Sequence, residues 1–120
     1  MSRTYSRTAA PSFGFDTDIP PVVETVARVA RRLWPVKTAR NLAMRTRKTH
    51  RAAEDWLSLR TGMSADALAD LLRSDAGLEV LDALMDGSGA SWWPGARRDL
   101  RAAQIERRIE ALRDELNELV

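Results

Sequence analysis

His50, Arg51, Glu54 and Asp55 are the side chains of this sequence with the richest means of reading a polar partner. Separated by one, three and one residues, they share one face of a helix at 3.6 residues per turn. On such a face an Arg pairs bidentately with guanine, and a carboxylate accepts from cytosine N4. Thr38, Arg40, Arg45, Arg47, Lys48 and Thr49 lie just before them. These residues suit phosphate oxygens, which position a protein on a duplex without reading its sequence.

Presenting that face requires two helices and a turn between them. Thr38 is the expected N-cap of the first, with Ala39, Leu42 and Ala43 on its inner side. Residues Arg45 to Lys48 form the turn. Thr49 caps the second helix, which Ala52, Ala53, Trp56 and Leu57 anchor on its apolar side, and Gly62 is a natural stop. The small Ala43 lets the two helices cross closely.

The remaining elements brace this unit. Residues 1–17 lack periodicity, are rich in Ser, Thr, Pro and Gly, and read as a flexible arm carrying Arg3 and Arg7. After Asp18 and the Pro20-Pro21 pair, Val22, Val26, Val29 and Leu33 step by four, three and four along one helix face. Pro35 ends that helix, and Trp34 and Trp56 are expected to pack in the core. Ser64 begins a fourth helix with Leu68, Leu71 and Leu72. Ser74 or Asp75 begins a fifth with Leu78, Leu81, Leu84 and Met85. The expectation is an all-α chain in which residues 18–86 form a compact five-helix helix-turn-helix domain.

Residues 87–96 read as a Gly/Ser linker that also carries Trp92 and Trp93. These rings either dock on an apolar surface or present an aromatic patch to another protein. Residues 97–120 then form one long helix, with Ala102, Ile105, Ile109, Leu112, Leu116 and Leu119 at heptad spacing over about two and a half heptads. That stripe serves dimerisation or partner binding as a short coiled coil, or else packs the helix on its own domain. A parallel pairing would set Arg108 against Arg113 of the second copy, so an antiparallel pairing, or packing on the other subunit's core, fits better.

Charge is segregated along the chain. Between Arg28 and Arg60, ten Lys/Arg face two acidic residues, a net of +8. Between Thr61 and Ala96, one Arg faces six acidic residues, a net of −5, which suits helices turned away from DNA. A positive block coinciding with the motif points to a phosphate-facing surface. There is no Cys, and His50 is the single His, so neither a zinc site nor any other metal or cofactor is expected. No nucleophile–base pair or Gly-rich phosphate loop points to an enzyme. No signal peptide and no membrane-length apolar run is seen, and a cytoplasmic protein is expected.

The stretch LAMRTRKTHRAAEDWLSLRTGMS resembles the helix-turn-helix of the lambda-repressor/Cro-like family of bacteria and phages. The pattern there is LA, two residues, Thr-Gly, an apolar residue, Ser, and a reading helix ending in Trp-Leu-x-Gly. Arg47 stands where Gly is usual, Lys48 where an apolar residue is usual, and Leu59 where the later Gly is common. The resemblance covers about half of the chain. It implies a domain that binds operator DNA as a homodimer and regulates transcription, as a repressor or an activator. The competing expectation is a protein–protein interaction module, an antagonist or subunit of a larger complex, acting through the C-terminal helix and Trp92/Trp93.

Overall fold

The computed structural model describes residues 20–120, and among these every regular element is helical. The order is α1 (Val22–Leu33), α2 (Thr38–Thr46), α3 (His50–Leu57), α4 (Ala65–Leu72), α5 (Gly77–Met85) and α6 (Trp93–Glu118). The arm of residues 1–17, with Arg3 and Arg7, lies outside the described residues, as does Asp18. Two compact units meet between Ser88 and Gly89, so α1–α5 and α6 are described separately. No helix among the described residues is long and apolar enough to cross a membrane.

The first unit is held by Val26, Val29 and Ala30 of α1, Leu42 and Ala43 of α2, Ala53 and Trp56 of α3, Ala67 and Leu71 of α4, with Val80 of α5 and Ala76 just before it. Five of these eleven core residues are Ala, so short helices approach closely instead of being spaced by long side chains. Helix α2 packs on α3 and α4, while α1 packs on α3 and α5. Val26, Val29 and Trp56 are buried as their spacing predicts, whereas Val22 is exposed because α1 has only just begun there. Trp34 is half-buried at the C-terminal end of α1.

The caps explain where the helices begin. Thr49 and Ser64 each accept from the N–H three residues on, Ala52 at 3.0 Å and Ala67 at 3.1 Å. Thr38 behaves differently from its expected role as a cap. It is the first helical residue of α2, and its hydroxyl donates to the Trp34 carbonyl, tying α2 to the end of α1. Lys37 takes the cap position in the left-handed region at φ 57. The fifth helix starts at Gly77, later than Ser74 or Asp75. The Ser74 hydroxyl instead shapes the preceding turn, donating to the Leu71 carbonyl at 2.6 Å and accepting from the Ala76 N–H at 3.1 Å.

Helix α6 starts at Trp93, four residues before the boundary expected from the Gly, Ser and Pro content. Pro94 occupies its first turn, where the missing N–H has no intrahelical acceptor to lose. Trp92 and Trp93 thus belong to the helix start, their rings edge to face with centroids 6.0 Å apart. At 26 residues α6 is about 39 Å long.

Candidate nucleic-acid interface

Helix α3 turns Ala53 and Trp56 into the core, with Ala52 and Leu57 half-buried beside them. At about 100° per residue the opposite face carries His50, Arg51, Glu54 and Asp55. His50, Arg51 and Glu54 are exposed, and His50 Nε2 lies 3.3 Å from the Glu54 carboxylate one turn on. Asp55 is less accessible than its neighbours. Its carboxylate is only 20 % exposed and faces Arg60 Nη1 at 3.2 Å and Arg51 Nε at 3.7 Å. The four base-reading candidates therefore divide into three open side chains and one carboxylate already held by cations.

The turn between α2 and α3 depends on backbone that non-glycine residues rarely adopt. Arg47 has φ 58 and ψ 35, its N–H bonding the Ala43 carbonyl to close α2. Leu59, just past α3, has φ 61. Both substitutions for Gly noted in the sequence thus sit where the chain adopts left-handed backbone, at a steric cost to any side chain with a Cβ. Lys48, standing where an apolar residue was the comparison, is exposed instead of buried.

Tertiary structure also redistributes the charge. Arg45 does not reach outward with the other cations. Its Nε and Nη2 pair with the two carboxylate oxygens of Asp75 at 2.6 and 3.2 Å, and Nη1 donates to the Asn41 carbonyl and side-chain oxygen at 3.1 Å. The guanidinium lies 4.4 Å from the centroid of the Trp34 ring, within cation–π range. The hydrogen bond from Arg45 holds the Asp75 carboxyl below its ordinary value, with partial burial opposing and the Arg45 charge assisting. Arg47 Nη2 stands 3.2 Å from Asp70 of α4, and Arg32 stands 3.8 Å from Glu79 of α5. Arg31 donates to the Leu57 carbonyl at 3.0 Å. Three carboxylates of the acidic segment thus stand beside arginines of α1, α2 and the turn.

Lys37, Arg40 and Lys48 remain exposed and take no acidic partner among the described residues. They flank α2 at its two ends, and Lys48 immediately precedes the cap of α3. Lys37 escaped the sequence reading because nothing in its neighbours distinguishes it from an ordinary solvated lysine. The partners of Arg45 and Arg47 escaped because they lie 30 and 23 residues away.

Comparison of the chain with protein-family models, with curated proteins and with solved structures found no match.

Proposed function

We propose that the chain is a sequence-specific double-stranded DNA-binding regulator of transcription, of the prokaryotic or phage type. In this reading α2 and α3 are a helix-turn-helix of lambda-repressor/Cro-like kind, with α3 in the major groove. One observation carries it: α3 is capped and anchored on one side while its first turns expose His50, Arg51 and Glu54, next to Lys48 and Arg40, which take no acidic partner among the described residues. Arg51 is the principal base reader, assisted by His50 and Glu54, with Asp55 orienting Arg51. Arg40, Lys48 and Lys37 contact phosphates, joined by the exposed Arg47 when it exchanges Asp70 for a phosphate oxygen and by the backbone at the starts of α2 and α3 around Thr38 and Thr49. Arg45 serves the structure of the domain rather than DNA.

The testing experiment is fluorescence anisotropy of a labelled duplex from upstream of the protein's own gene, beside a scrambled duplex, across a salt series. The expected result is a preference of about a thousandfold for the native duplex and affinity that falls steeply with salt. Arg51→Ala is expected to cost about 1–3 kcal/mol on the native duplex and relax specificity there. Equal, weak binding to both duplexes, unchanged by Arg51→Ala, would count against the reading.

A further inference from the structure

Along α6, Ile105, Ile109, Leu112, Leu116 and Leu119 are 43 to 83 % exposed, and Ala102 continues the same stripe toward the N-terminal end. Five large aliphatic side chains on one helix face, all open to water, call for a covering surface. The charges beside the stripe indicate which one. Placing Ile109 and Leu116 at heptad position a, and Ile105, Leu112 and Leu119 at d, puts Arg108 and Glu115 at g and Glu106 and Arg113 at e. Among the described residues, none of these four flanking side chains takes an ion pair.

We infer that α6 pairs with α6 of a second copy in antiparallel orientation, with Ile109 of each helix against Leu112 of the other. Ile105 then meets Leu116, and Ala102 meets Leu119, so every aliphatic layer is filled from both sides. In this register g faces g and e faces e. Arg108 meets Glu115 and Glu106 meets Arg113, each pair occurring twice, and every flanking contact joins opposite charges. A parallel pairing brings g against e instead. It gains Arg101 against Glu106 but loses as much by placing Arg108 against Arg113. The occupant that matches both the stripe and its borders is therefore the same helix, reversed. The inference stands on α6 alone and is independent of whether α3 binds DNA.

The experiment is sedimentation equilibrium of the full chain without DNA, over about 1 to 200 μM, an interval suited to so short a pairing. A monomer–dimer equilibrium is expected, and a monomer throughout would overturn the inference. Arg108→Glu separates the two orientations. Its neighbours three and four residues away are Gln104, Ile105, Ala111 and Leu112, so no charge pair within the helix changes. Antiparallel pairing predicts dissociation at about tenfold higher concentration, with recovery when Glu115→Arg is added. Tighter association of Arg108→Glu alone would indicate parallel helices and overturn the inference. Because the chain has no Cys, introduced thiols report without background. Leu119→Cys and Ala102→Cys chains, mixed and oxidised, should form a mixed disulfide dimer. Leu119→Cys alone should not, because its two copies lie about 26 Å apart along the axis. Efficient self-crosslinking of Leu119→Cys would also overturn the inference.

Discussion

Arg45 and Asp75 join the second helix to the turn before the fifth by two hydrogen bonds, Nε to Oδ1 at 2.6 Å and Nη2 to Oδ2 at 3.2 Å. The Arg45 side chain is 18 % exposed while that of Asp75 is 74 % exposed. The ion pair itself is therefore partly screened, and the covered guanidinium contributes through packing on Trp34 and through geometry. Arg45→Ala is expected to cost about 1–2 kcal/mol in urea denaturation. Arg45→Lys should recover less than half of this, since an ammonium makes neither the two-pronged contact nor the planar stack. Equal stability of the lysine variant and the parent would show that charge alone matters.

Asp75 adds a pH dependence of definite sign. Its folded-state carboxyl is held below the ordinary value, chiefly by the hydrogen bond from Arg45. The stabilisation is therefore fully present above the unfolded value of about 4 and is lost as pH falls through the lower folded value. Asp75→Asn should flatten that part of the acid limb when unfolding free energy is followed between about pH 5 and 2. An acid limb of unchanged slope in the variant would contradict the assignment.

Leu59 occupies left-handed backbone at φ 61 and is 52 % exposed, so it bears strain with little burial to offset it. Leu59→Gly is expected to raise stability by about 0.5–1 kcal/mol, read as a higher melting temperature. Arg47→Gly should relieve similar strain at φ 58 but remove the exposed contact with Asp70. If Arg47 grips phosphate, that variant becomes no less stable while binding duplex more weakly, which separates its backbone role from its charge.

Gly77 opens α5 where the chain passes close to the end of α4. A Cβ at this position would overlap the Leu72 carbonyl oxygen and come within 2.9 Å of its carbon. Backbone cannot move aside as a flexible side chain does, so Gly77→Ala is expected to cost about 2–4 kcal/mol in chemical denaturation. Its effect on duplex binding should follow the fraction folded and nothing more.

Lys48 and Arg40 are the clearest candidates for pure phosphate contacts. Alanine at either should weaken native and scrambled duplex binding alike, and reduce the slope of log affinity against log salt by about one. Arg45→Ala should leave that slope as it is, once corrected for folding. A reduced slope for Arg45→Ala would return Arg45 to the proposed DNA-binding surface.

Local information in the sequence determined the helices themselves. Thr49 and Ser64 cap because a hydroxyl there reaches the N–H three residues on, and Val26, Val29, Ala53 and Trp56 are buried because their spacing matches the helical turn. The outward residues of α3 and the heptad stripe of α6 follow from the same periodicity. Pro94 and Gly95 misled because they read as linker, although Pro fits a first helical turn. Tertiary structure alone decided which charges remain available. Arg45, Arg47 and Lys48 look alike along the chain, yet folding brings Asp75 to the first and Asp70 to the second, while the third has no acidic partner among the described residues. That selection depends on α4 and α5 packing back over α2 and α1, contacts between residues 23 to 47 positions apart that no local pattern encodes.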